Sequence, residues 1–180
     1  MNPTWHAVAA RIALAALFGM TTGPAVAQGG TVDSDALAPF GWLRELAGAC
    51  WRGQQADGTP TDTQCYEAQY GRFLRGTIAM TIEATGKPGA ELRGDSVWVW
   101  DAERKRISLT TWASNGTVSH AEAWFEGEAV DFPVPRRDGG ESTARTRWQR
   151  IDPDSFRVTR QRRDGNDWVD VLAATYRRVR

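Results

Sequence analysis

The feature that most constrains this 180-residue chain is a repeated alternation of strand-length runs and turn signals, beginning after Gly48 and continuing almost to the C-terminus. Ten runs of alternating or β-branched residues follow one another, at 50–56, 62–68, 73–84, 92–101, 107–114, 117–125, 130–134, 143–151, 156–163 and 168–179. Between them stand Asp57-Gly58, Gly86-Lys87-Pro88-Gly89, Asn115-Gly116, Arg137-Asp138-Gly139-Gly140, Asp152-Pro153-Asp154 and Asp164-Gly165-Asn166, residue types that supply the backbone angles of tight turns. The pattern predicts an all-β domain of about ten antiparallel strands, closed as a barrel or folded as a sandwich. One short helix is expected ahead of it at 40–46, where Phe40, Leu43 and Leu46 share a face.

The N-terminus reads as an address. Arg11 precedes a short apolar stretch from Ile12 to Met20, and Ala25-Val26-Ala27 has the small residues of a cleavage site. These nine residues are too short for a membrane span, which needs about 20. Residues 1–27 are therefore expected to be a cleaved signal peptide, 28–39 a flexible lead-in, and 40–180 the barrel. No Cys stands directly after the cleavage site and no paired Arg precedes the apolar stretch, which points to the general secretory route and a periplasmic or secreted protein. Loss of Arg11 leaves 21 basic against 22 acidic residues. That balance gives no reason to expect a nucleic-acid partner, and no later segment is apolar enough to predict a membrane span.

Export also removes His6, leaving His120, Cys50 and Cys65 as the soft metal ligands of the mature chain. They lack the clustered spacing of a zinc site, and no cofactor motif is present, so no cofactor is expected. If Asp57-Gly58 closes a two-residue hairpin, Cys50 stands opposite Cys65 and Pro60 opposite Gln55 at a position needing no N–H. The alternative is two buried thiols. A disulfide is the favoured reading in an oxidising compartment.

Leu46 to Gly53, LAGACWRG, resembles the first-strand signature of the calycin superfamily, in which a Trp at the barrel base follows a Gly. Gly48 and Trp51 stand one residue further apart than the Gly-x-Trp of lipocalins. The stretch is similar to bacterial lipocalin-like domains of unknown function and to nitrobindin-type barrels, and VDFP at Val130 to Pro133 resembles an HDFP element of one such family. The resemblance implies a barrel around a cavity, with Trp51 plugging the base. Nitrobindin-type barrels hold haem through a His near the C-terminus. LAATYRR, Leu172 to Arg178, has none, so haem of that kind is not expected.

Turn positions nominate a site. A two-residue Asn115-Gly116 hairpin would put Ile107, Leu109, Thr111, Val118, His120, Glu122 and Trp124 on one face, the more apolar and hence inward one. In the alternative, Trp112 and Phe125 mark the interior and His120 and Glu122 lie in solvent. A turn at Pro153-Asp154 would align Ile151 with Phe156, Gln149 with Val158 and Arg147 with Arg160. Val169, Val171, Ala173 and Thr175 would continue that inward face. Arg147 and Arg160 side by side would then need an anion between them: Glu122, a splayed wet strand end, or an acidic ligand in an arginine fork. His120, Glu122, Trp124, Arg147, Gln149 and Arg160 are thus the expected ligand-binding residues. The expected function is binding or carrying a small, partly apolar molecule with an acidic group. The alternatives are a cavity enzyme of isomerase or decarboxylase type with His120 and Glu122 as acid and base, or an envelope interaction protein with a filled barrel.

Overall fold

A computed structural model of the chain describes residues 36–82, 90–134, 136 and 138–180. Ten strands follow in order: β1 (Ala49–Gln55), β2 (Pro60–Gln69), β3 (Phe73–Ile82), β4 (Ala90–Asp101), β5 (Arg106–Ala113), β6 (Val118–Glu126), β7 (Ala129–Pro133), β8 (Ala144–Asp152), β9 (Ser155–Asp164) and β10 (Asp167–Arg178). Each pairs antiparallel with its sequence neighbours, and β10 returns to β1, so the sheet closes into a barrel. All ten expected runs correspond to strands, and closure decides for the barrel over the sandwich. The expected signal peptide, residues 28–35 and the Gly86-to-Gly89 turn lie outside the described residues.

Cys50 faces Cys65 across β1 and β2, and the two are disulfide-bonded with Cα atoms 3.9 Å apart. The hairpin reaches this pairing through a longer loop than the expected two-residue turn. Gln55 N–H donates to Thr59 O and Gly58 N–H to Gln55 O, which makes a three-residue loop with Gly58 at φ 91°. Pro60 therefore faces Gln54 rather than Gln55, and a bulge between Arg52 and Gln54 restores the register at the cysteines. The bulge falls at Gly53, where a Cβ would stand 2.7 Å from Tyr176 Cζ.

The same kind of loop joins β5 to β6: Ala113 N–H donates to Thr117 O, and Gly116 takes φ 85°. Here no bulge compensates. Thr110 faces His120 and Ile107 faces Ala123, one residue out of step with a two-residue Asn115-Gly116 hairpin. Because side chains alternate, such a slip exchanges the two faces. Irregularities between Arg150 and Asp152 on β8 and between Asp170 and Leu172 on β10 act likewise. Arg147 faces Thr159 while Arg160 faces Thr146. On β10 the inward set is Leu172, Ala174 and Tyr176, correcting the expected Val171, Ala173 and Thr175.

Large inward side chains fill the lower half of the barrel. Tyr66, Trp98, Trp148, Phe156 and Tyr176 are buried and form a chain of ring contacts at 5.9, 5.5, 5.1 and 4.9 Å between centroids. Burial of each such side chain stabilises by about 2–3 kcal/mol. Below them Ala38–Leu46 forms two 3₁₀ turns across a kink at Gly41 (φ 54°, ψ −133°), and Phe40, Leu43 and Leu46 close the base. The expected apolar face is present, in tighter turns that start two residues earlier. Trp51 is buried there, its Nε1 donating to Leu46 O at 3.2 Å. Trp42 Nε1 donates to Glu128 O at 2.9 Å, and Arg150 meets Glu45 at 2.6 Å, so the lower rim holds the plug at two points.

Candidate ligand-binding sites

Halfway up the barrel the inward positions change character. Trp98 is followed on its face of β4 by Ser96 and Gly94, and Trp148 on its face of β8 by Thr146 and Ala144. With Thr111 on β5 and Ala121 on β6, these make one side of the upper interior small, and all but Gly94 are partly exposed. Across from them Leu172 is 39% exposed although its register turns it inward, opposite Arg160. Inward side chains that reach solvent mark the end of the barrel away from the 3₁₀ plug, a region we call the cup. Arg160 and Arg162 stand on the inward face of β9 at its mouth, both exposed. Neither has a carboxylate within 4.0 Å among the described residues.

The floor of the cup is polar and buried. Asp62, Gln64 and Tyr66 on β2 and Tyr176 on β10 are all buried. Tyr66 O–H donates to Gln64 Oε1, Gln64 Nε2 donates to Asp62 Oδ2 at 2.6 Å, and Tyr176 O–H donates to Asp62 Oδ1. Thr61 Oγ1 adds a bond to Asp62 Oδ1 at 2.9 Å. Every member thus has a partner, as buried polar groups require. Burial pushes both phenols up, Tyr66 further supported by Tyr176 and Asp62, and Tyr176 by the charge of Asp62 and the bond to it. Both hydroxyls remain donors at neutral pH.

These four residues were not among those expected from sequence, yet a signal existed. The Cys50–Cys65 pairing places Gln64 opposite Trp51, the residue assigned to the barrel base. Asp62, Gln64 and Tyr66 share that face by simple alternation.

The six expected residues divide between two sides of the wall. Arg160 faces the cup. His120, Glu122 and Trp124 lie on the outside of β6, because the three-residue loop shifts their register; Trp112 is outside with them, 45% exposed, and Phe125 is inside. Arg147 is also outside, where its Nη1 donates to Glu126 Oε2 at 2.6 Å and to Asp131 Oδ2 at 3.1 Å. Gln149 is exposed on the same wall. The arginine fork between Arg147 and Arg160 is therefore not formed, the bulge at Ile151 having separated the two across the sheet. His120 and Glu122 do not converge on the cup as an acid–base pair: His120 Nδ1 shares a hydrogen bond with Thr110 Oγ1 at 3.0 Å, and Glu122 accepts from Arg104 and Arg106 at 3.0 and 2.8 Å.

Outside the barrel, His120, Glu122 and Trp124 line a groove of about 770 Å³. It exists because β7 is short and pairs with β6 only from Trp124 to Glu126, which leaves the rest of β6 without a β7 partner, and residues Gly139 to Ser142 of the β7–β8 loop form its other side. At its inner edge Asp131 is 2% exposed on the outer face of β7, held by Arg145 at 2.8 Å and Arg147 at 3.1 Å. Burial pushes the Asp131 carboxyl up against the pull of these two cations, whereas the bond from Arg147 holds the solvent-facing Glu126 below its usual range.

Haem held by an imidazole does not fit the cup, since His120 is the one histidine among the described residues and lies on the outer wall. No group of three or more His, Cys, Asp and Glu side chains suited to a metal occurs among the described residues, and no helix there is long and apolar enough to cross a membrane. No family model matches the sequence, and no curated protein matches it. Among solved structures, the chain is similar to the crystal structure of Rv2717c from M. tuberculosis, with 23% identity, a TM-score of 0.49, and coverage of 81% of this chain and 98% of that one.

Proposed function

We propose that this is an exported binding or carrier protein for a small, partly apolar molecule with an acidic group, held in the barrel cup. In this reading residues 1–27 are the cleaved export signal and 40–180 the binding domain. The observation that carries it is the change along the inner faces of β4 and β8 from Trp98 and Trp148 below to Ser96, Gly94, Thr146 and Ala144 above, beside the buried network of Asp62, Gln64, Tyr66 and Tyr176. An apolar recess with a few convergent polar groups is the usual design of small-molecule sites. Arg160 and Arg162 at the mouth supply the acidic preference, since a guanidinium without a carboxylate partner favours an incoming anion. The disulfide supports an oxidising compartment.

Titration of the purified domain with dansylated undecanoate, a fluorescent acid with an apolar tail, tests this. Saturable emission is expected, displaced by decanoate and much less by decanol. Thr146→Trp, which fills the cup, should abolish it. Arg160→Ala with Arg162→Ala should weaken it about tenfold, the loss of a charge-assisted contact of about 1.4 kcal/mol. Binding indifferent to Thr146→Trp would remove the cup from consideration.

A further inference from the structure

We propose that the groove on the outer wall is a second binding site, for an uncharged carbohydrate chain. It lies on the opposite side of the sheet from the cup and does not depend on what the cup holds. Its size is that of a built site, about 770 Å³. Its length along β6, from His120 to Trp124, is about 13 Å at the usual rise per strand residue, the reach of a short oligosaccharide rather than of a single ring.

The charge pattern selects against ions. Arg106 is answered by Glu122 at 2.8 Å, Arg145 by Asp131 at 2.8 Å, and Arg136 by Asp138. A charged ligand entering this groove meets cations and carboxylates that already answer one another, so it gains little net attraction and must compete with a partner in place. A neutral ligand with many hydroxyls breaks none of these pairs, because a paired carboxylate keeps free lone pairs and a paired guanidinium keeps free N–H groups. The hydroxyls of Ser108 and Thr110 and the ring of His120 extend the same two-way bonding capacity along the floor.

Two tryptophans supply the other half of sugar recognition. Trp124 and Trp168 both line the groove and both remain partly exposed. The Arg106 guanidinium lies 5.2 Å from the Trp124 ring centroid, and that of Arg145 lies 4.4 Å from that of Trp168. Rings braced in this way are pre-organised, so little side-chain freedom is lost on binding. A flat indole beside fixed donors and acceptors suits the pyranose ring, which presents C–H groups on its faces and hydroxyls at its edge.

The test is calorimetric titration and tryptophan emission with chitotriose, maltotriose and cellotriose, followed by a neutral-glycan array. Saturable binding of a neutral chain, insensitive to salt, is expected. Trp168→Ala and Trp124→Ala should each weaken it at least tenfold, with Trp168→Phe retaining part of it. Trp112→Ala, on the same wall but outside the groove, should have no effect. Thr146→Trp should abolish dansylated undecanoate binding and leave the glycan untouched, so failure of the cup and failure of the groove are read separately. No binding anywhere on the array, binding confined to acidic glycans, or binding unchanged by both Trp124→Ala and Trp168→Ala would overturn the proposal.

Discussion

Gly53 and Gly76 show how single residues set the floor of the cup. At Gly76 a Cβ would stand 2.6 Å from Ser96 Oγ and 3.0 Å from Tyr66 Cε1; at Gly53 it would meet Thr61 and the ring of Tyr176. Each glycine is the empty space into which a tyrosine lies back against the wall. Gly53→Ala and Gly76→Ala should each cost about 1–3 kcal/mol by overpacking, seen as a lower urea midpoint at unchanged slope. The tyrosines carry a second expectation. Their phenols are raised by burial in the folded state, so the folded form binds protons more tightly than the unfolded chain. The stability they contribute is complete below the ordinary tyrosine range near pH 10 and is lost as pH rises above it towards their raised folded-state values. Tyr176→Phe should flatten that alkaline decline, while costing about 1–3 kcal/mol at pH 7 because Asp62 loses a donor. Urea unfolding at pH 7, 9, 10 and 11 measures both effects, and an equally steep decline in the variant would rule out Tyr176 as a source.

At the scale of elements, the ten strands were legible because each ends at residues that break a ladder, such as Asp57-Gly58, Asn115-Gly116 and Asp164-Gly165. What the sequence hid was one residue at a time. Asp-Gly and Asn-Gly serve two-residue and three-residue loops alike, because both need a residue at positive φ. At Gly58 the extra loop residue is cancelled by the bulge at Gly53, and the cysteine pairing comes out right despite the wrong turn. At Gly116 nothing cancels it, and His120, Glu122 and Trp124 change sides. Ile151 and Val171, the extra residues on β8 and β10, are apolar yet exposed, and nothing in their local sequence separates a bulged valine or isoleucine from an inward one. The loops are testable through their glycines. Gly58→Ala and Gly116→Ala, at φ 91° and 85°, should each cost about 1–2 kcal/mol from the left-handed backbone alone, since a Cβ at Gly116 meets nothing and one at Gly58 meets only an atom 3.8 Å away. Thermal melts of the two variants would read this, and a neutral Gly116→Ala would mean that the loop has another conformation in solution.

For the whole molecule, the barrel is held differently at its two ends. The lower end is closed by the 3₁₀ plug and the aromatic layer, and the upper end is left to hairpin loops around inward side chains that reach solvent. The disulfide lies outside the core, between half-buried Cys50 and Cys65 on β1 and β2, beside the β1–β10 pairing that closes the sheet. Its cysteines are 15 residues apart in sequence, a loop whose closure is worth about 3 kcal/mol by restricting the unfolded chain. Cys50→Ser with Cys65→Ser should therefore lower the melting temperature by about 10 °C while leaving the circular dichroism of the folded barrel unchanged, because every backbone pairing of β1 survives. Intact mass of protein recovered from the periplasm of an expressing bacterium should show a chain beginning near Gln28 and two hydrogens lighter than its reduced form. A native chain that reacts with thiol reagents before denaturation, or a double-serine variant as stable as the parent, would show that the bridge contributes nothing and that the core alone holds the barrel together.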